Sequence, residues 1–268
     1  MKIIDQFRKE DLASHHRLSR CDRSGKVSDY NIELLKEHIM DVYVNEVLTM
    51  KLTCTPEYLV ELTLGRLLTE GIIRSVDDVD QLYLCEYGRR ARVFLTRDQS
   101  AKNSDEKYVE LTPTCCTGNQ ILNDDFVQEN EIKPLVPAHW TPEEIFLCAD
   151  RFASDTPLHR RTRSTHSCFL LSGGEIIFEV DDISRHNAVD KALGWALRNN
   201  VDRSTATLFT SGRVPTDMAI KVIRGGVPVF ITKEAATKEA VELAKRFGLT
   251  ILGKIRPESF VVYADGTA

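Results

Sequence analysis

Residues 111–122, LTPTCCTGNQIL, place two thiols side by side, Cys115 and Cys116, between a proline and a glycine. Neither helix nor strand suits that run, so it predicts a loop. Buried cysteines usually sit inside apolar runs. A thiol on a polar loop has the access that a sulfur nucleophile needs, and nearby arginines would favour its thiolate form. Metal binding is the competing chemistry, but adjacent cysteines suit one tetrahedral ion poorly. No CxxC occurs and no His or Cys partner stands at ligand spacing, so no metal site is expected.

Two further clusters could hold an anion. In TSGRVP, residues 210–215, an apolar run ends in Ser211-Gly212-Arg213 before a new helix. Glycine lets the backbone approach a ligand, a helix start offers free N–H groups, and Arg213 adds a bidentate donor for phosphate or carboxylate. The alternative is an ordinary strand-to-helix turn. In SRHNAVDK, residues 184–191, Arg185, His186, Asn187, Asp190 and Lys191 crowd two turns of a helix that Ser184 is placed to cap. His186 and Asp190, four apart, would share a face, and the carboxylate could orient the imidazole. The alternative is a solvated helix start. Arginines at 89, 90, 92, 160, 161 and 163, with His166, are either a solvated charge run or a docking patch for a polyanion.

The elements that must position these groups are legible in the periodicity. Residues 1–30 are charged and aperiodic and predict a loose arm or an irregular helix. HIMDVYVNEVLTMKLTC predicts two strands around Asn45-Glu46. TPEYLVELTLGRLLTEG predicts a helix capped by Thr55, with Pro56 in its first turn and Gly71 at its stop. QLYLCEYGRRARVFLT predicts two strands around Gly88. After Lys133 the pattern changes. TPEEIFLCADRFAS opens on a capping box, Thr141 and Glu144, and a hairpin turns at Gly173-Gly174. Helices and strands then alternate to the short apolar run FVVYA. Such alternation needs right-handed crossovers and implies a largely parallel sheet clad by helices, with ligands beyond the carboxyl ends of its strands.

The 268 residues are enough for one large domain or two ordinary ones, and 42% hydrophobic with 28% charged residues is a globular composition. A net charge of −5 gives no global pull toward nucleic acid or anionic lipid. No apolar run reaches the length of a signal peptide core or a membrane span. The seven cysteines are odd in number and scattered, and Cys54, Cys85, Cys148 and Cys168 read as core filler. A cytoplasmic protein that binds neither nucleic acid nor membrane is expected.

Together these runs resemble the formate-dehydrogenase accessory sulfurtransferases, the FdhD family. The resemblance rests on LTLGRLLTEGII (62–73), DDISRHNAVDKALGWAL (181–197), TSGRVPTDMAIKV (210–222), the long run from Gly226 to Tyr263, and the cysteine loop between them. It implies an α/β fold: a smaller N-terminal α+β domain over 31–110, a cysteine loop and linker over 111–135, and a cytidine-deaminase-like three-layer domain over 136–268 with a mixed, mainly parallel sheet. Neither HxE nor PCxxC is present, so the deaminase zinc centre is not expected and a nucleobase deaminase is the least favoured reading.

The activity implied is sulfur transfer. A cysteine desulfurase would load a persulfide on a loop cysteine. The sulfur would pass to the bis(molybdopterin guanine dinucleotide) cofactor, a molybdenum substrate recognised through its GDP or GTP moiety, for the catalytic subunit of formate dehydrogenase. The alternative is a cofactor-binding chaperone without sulfur chemistry. Many family members read CGxCG where this chain reads CCTGN. Aligned on its first cysteine, the run assigns the persulfide to Cys115, with Cys116 second. The family's nucleotide contact maps onto Lys254, Ile255, Arg256, Pro257, Glu258 and Ser259. Its usual aromatic start is Lys254 here, and Pro257 stands where glycine is common. Ser211, Gly212, Arg213, Arg185 and His186 would face phosphates or the pterin. A homodimer is implied by the family.

Overall fold

The computed structural model describes residues 1–96, 110–112 by their main chain, and 132–267. The chain begins with β1 (Lys2–Asp5), a hairpin of β2 (Ala13–Cys21) and β3 (Val27–Leu35), then β4 (His38–Val44) and β5 (Val47–Cys54). Helix α1 (Leu59–Thr69) follows, then β6 (Val79–Leu84), β7 (Arg90–Leu95) and β8 (Glu110–Thr112). The second half runs α2 (Pro142–Ala153), α3 (Pro157–Thr162), β9 (His166–Ser172), β10 (Glu175–Asp182) and α4 (Arg185–Arg198). It continues with β11 (Thr207–Thr210), α5 (Thr216–Gly225), β12 (Val229–Thr232), α6 (Lys238–Phe247), β13 (Thr250–Arg256) and β14 (Ser259–Ala264).

Among the described residues these strands form two six-stranded sheets, β1-β6-β7-β4-β5-β8 and β10-β9-β11-β12-β13-β14, beside the two-stranded β2–β3. The second sheet is mixed, but not mainly parallel as expected. Only β11–β12 and β12–β13 run parallel, while β9–β10, β9–β11 and β13–β14 are antiparallel. The helix-linked strands occupy the middle, and a hairpin closes each flank.

Side-chain alternation along the second sheet divides the layers. Phe169, Phe209, Ile231 and Leu252 face α2 through Ile145 and Cys148. Leu170, Leu208, Phe230 and Ile251 face the opposite way, into a core shared with α1, α4, α5 and α6. Met40, Leu52, Leu82 and Val93 of the first sheet close that same core from its far side. At its centre α1 and α4 cross in backbone contact. A Cβ on Gly65 would stand 1.7 Å from the Asp190 carbonyl oxygen, and one on Gly194 would stand 1.9 Å from that of Glu61.

Two expectations fail locally. Residues 1–30 form β1, β2 and the start of β3 instead of a loose arm or irregular helix. Nearly all of β2 is exposed, so neither face of the hairpin carries the apolar alternation that marks a strand. It is held to the body by Arg161 of α3, which donates to Glu33 at 2.7 Å and to Asp11 at 3.1 Å. The arginine run there is thus largely committed within the chain, with Arg163 on Asp155 at 2.9 Å and Arg160 on the Ser154 carbonyl. Thr55 does not cap α1, which opens after Tyr58 in the left-handed region at φ 53°. Thr55 instead ties α1 to the second sheet: its N–H donates to Asp182 Oδ2 at 3.1 Å, and its hydroxyl accepts from the Ile183 N–H at 3.0 Å.

Candidate functional site

Strands β11, β12 and β13 run parallel, so their carboxyl ends share one edge of the second sheet. Antiparallel β9 starts at that edge and β10 ends there, since His166 pairs with Asp182. The edge therefore collects His166, Asp182, Ser211, Lys233 and Arg256 from five strands. Helices α4 and α5 both begin from it. Three apolar runs and a hairpin thus deliver residues far apart in sequence to the place where an open α/β sheet binds ligands.

The SGR and RHN runs prove to be one site. The aliphatic part of Arg185 lies across Gly212: a Cβ at 212 would meet Arg185 Cδ at 2.7 Å and Cβ at 2.8 Å. Gly212 is fixed by its N–H donating to Thr210 Oγ1 at 3.2 Å and by its carbonyl accepting from Thr232 Oγ1 at 2.6 Å. Ser211 donates its N–H to the Ser167 carbonyl at 2.9 Å and accepts the Ser167 N–H on its hydroxyl at 3.0 Å. That hydroxyl stands 3.4 Å from His166 Nδ1. Burial, then the Arg185 charge, pushes the His166 pKa down, so the ring is neutral at pH 7. Arg213 is exposed. Gly212→Ala is expected to cost about 1–3 kcal/mol by overpacking, read as a lower urea midpoint. A second substitution, Arg185→Ala, should restore part of that loss.

His186 does not pair with Asp190. Its Nε2 stands 3.4 Å from Asp217 Oδ2 on α5, and its buried Nδ1 has no hydrogen-bond partner among the described residues. Burial, followed by the charges of Lys221 and Arg185, drives its pKa down to about 2 and keeps the ring neutral. Nor is the start of α4 solvated. Asp190 is fully buried and accepts from Lys221 Nζ at 2.9 Å and Thr69 Oγ1 at 2.8 Å, with Arg66 Nη1 at 3.5 Å. Lys191, equally buried, lies 2.6 Å from Asp182 Oδ2 and donates to the Thr55 carbonyl at 3.0 Å. Asn187 donates to the Thr53 carbonyl at 2.8 Å. Asp190, Lys191 and Asn187 therefore hold α4 in place, while Arg185 and His186 meet the SGR turn and α5.

On the α2 face of the same edge lies the C-terminal group. Lys254 is exposed with φ 51° and donates its N–H to the Glu234 carbonyl at 2.8 Å. Ile255 is buried, whereas Arg256, Pro257, Glu258 and Ser259 are exposed around the turn between β13 and β14. Arg256 Nη1 donates to the Ile255 carbonyl at 2.8 Å and to that of Lys233 at 3.3 Å. A cavity of about 180 Å³ opens here, lined among others by Phe152, Phe209, Lys233, Ile255, Arg256 and Pro257. Sequence reasoning missed Phe152, Lys233 and Asp217. The carboxyl-end rule could have found Lys233, the residue after β12.

Cys115 and Cys116 lie outside the described residues. Among the others, Cys54, Cys148 and Cys168 are buried, and burial pushes each thiol up, away from thiolate character. No helix among the described residues is long and apolar enough to cross a membrane.

Comparison with known proteins decides the family. The sequence model of the FdhD/NarQ family matches residues 35–268. This chain belongs to the FdhD/NarQ family. The sulfur carrier protein FdhD of Listeria monocytogenes serotype 4b is 28% identical over 259 residues, covering 95% of this chain and 97% of that one. The FdhD of Methanothermobacter thermautotrophicus is 30% identical over 224 residues, covering 83% of this chain and 86% of the relative. The fold matches a crystal structure from Desulfotalea psychrophila, assigned as a formate dehydrogenase accessory protein, with a TM-score of 0.76. The two share 23% identity over 95% of this chain and 97% of the other. The FdhD/NarQ match begins after β2 and near the end of β3, so most of that hairpin lies outside the family's matched span.

Proposed function

We propose that this chain is a sulfur carrier that accepts sulfane sulfur from a cysteine desulfurase as a persulfide on Cys115. It passes the sulfur to the bis(molybdopterin guanine dinucleotide) cofactor, its substrate, for the catalytic subunit of formate dehydrogenase. In the loading step the Cys115 thiolate attacks the outer sulfur of the donor's cysteine persulfide. The donor's thiolate leaves, and one sulfur changes hands without net oxidation.

The observation that carries this reading is the register of β8. It pairs parallel with β5, Thr112 opposite Leu52, so Thr112 lies beside the end of β5, where the chain runs on through Thr53 to Thr55. Those residues meet Asn187, Asp182 and Lys191 at the start of α4. Cys115 follows Thr112 by three residues in the sequence, and Arg185 and Gly212 converge at that same helix start, on the carboxyl edge of the second sheet. On the far side of that edge, Lys233 and Arg256 offer cations for the guanine-nucleotide end. Relatives named as sulfur carriers over nearly the whole chain support the same reading. With it go a cytoplasmic setting, a homodimer, and a deaminase-like scaffold for α2, the second sheet and α4–α6.

The test is loading by a desulfurase with cysteine, followed by peptide mass spectrometry under non-reducing conditions. The wild type should gain the mass of one sulfur on the 111–122 region. Cys115→Ala should lose that gain, and Cys116→Ala should retain most of it. Equal loading of Cys115→Ala overturns the assignment.

A further inference from the structure

The turn between β13 and β14 brings Lys254, Arg256 and Pro257 to the nucleotide end but no aromatic ring. We propose that Phe152, at the end of α2, is the stacking face for the guanine base, with Lys233 as its cationic neighbour. This rests on the proposed binding of a guanylated cofactor and adds an element, α2, outside the nucleotide contact implied by the family.

Phe152 is only partly buried and forms part of the cavity wall. Its ring is held by Phe209, centroids 5.6 Å apart, and by His159 at 6.5 Å. A preset aromatic of this kind loses little entropy when a base arrives. The cavity of about 180 Å³ is below the roughly 300–1,000 Å³ of sites that engulf a whole small ligand. It suits one flat ring system, with ribose and phosphates left outside along the strand edge.

The charge pattern favours guanine. Lys233 Nζ lies 5.8 Å from the Phe152 centroid and is anchored on the Ile255 carbonyl at 3.1 Å. Arg256 is anchored on the two carbonyls beside it. Burial, then the Arg256 charge, lowers the Lys233 pKa, so these cations crowd each other and gain from an acceptor placed between them. Guanine presents O6 and N7, both acceptors, on one edge, whereas adenine presents an amino donor beside its N7.

Calorimetry with GDP on the full chain tests this through two variants. Phe152→Leu keeps an apolar contact with Phe209 but removes the aromatic face; Phe152→Tyr keeps both. Phe152→Leu should weaken GDP roughly tenfold to a hundredfold, and Phe152→Tyr should stay within about threefold of wild type. Equal GDP affinity of the two variants, whether reduced or unchanged, overturns the stacking role and leaves the cofactor reading standing. A wild-type chain that binds no GDP overturns both.

Discussion

Asp190→Asn is expected to lower the melting temperature by roughly 6–15 °C, from a cost of about 3–5 kcal/mol for removing one partner of a buried ion pair. Asp190 sits at the centre of a charged cluster that no solvent reaches. It neutralises Lys221, which is 2% exposed, and faces Arg66, which is 4% exposed. Burial already depresses the Lys221 pKa, with the Arg66 charge adding to the effect. Without that carboxylate the two cations would lean on Glu70, 4.0 Å from Lys221 and 2.9 Å from Arg66. The double replacement Asp190→Leu with Lys221→Met should recover much of the loss, because an apolar pair needs no compensation. A melting temperature of Asp190→Asn within about 2 °C of wild type would show that the cluster does not depend on the Asp190 charge.

That cluster also explains what sequence reading got wrong about RHNAVDK. A run of five polar groups on one helix looks solvated, since Asp and Lys are almost never fully buried unless paired. The partners of Asp190 come from α1 and α5, 121 residues back for Thr69 and 31 residues on for Lys221. Nothing local announces them. The same holds for Thr55: its neighbours spell a helix cap, and its actual partner is Asp182, 127 residues away.

Two local signals match the structure. The turn of the β4–β5 hairpin has Asn45 and Glu46 at φ 46° and 65°, the positive pair that a two-residue hairpin loop demands. The capping box of α2 closes in both directions, Thr141 to Glu144. The SGR and RHN runs were picked out one at a time from helix-start chemistry. Their union needed the parallel sheet, because only the crossovers bring Gly212 beneath Arg185. Phe152 carried no signal at all: at the end of an amphipathic helix it reads as core, and its place on a cavity wall depends on how far β13 extends past its neighbour. Strand β2 shows the limit from the other side, since an element with two wet faces has no pattern to read.

The sharpest conflict between sequence and structure gives the last prediction. In an α-helix interior glycine is destabilising by about 0.8–1.0 kcal/mol relative to alanine, so propensity alone says that Gly194→Ala should stabilise this protein. The packing says the reverse. The new Cβ would stand 1.9 Å from the Glu61 carbonyl oxygen and 2.7 Å from the Gly65 nitrogen, both backbone atoms that no rotamer change can clear. The α1–α4 crossing must open by more than an ångström, and it lies inside the core shared by both sheets. We expect a loss of about 4 kcal/mol or more, in the range that single substitutions rarely reach, seen as a collapse of the urea midpoint or failure to accumulate as folded protein. Gly65→Ala should behave alike. A Gly194→Ala chain that melts higher than wild type would mean that the two helices do not touch. The scaffold that holds Arg185 and His186 against the SGR turn would then have to be redrawn.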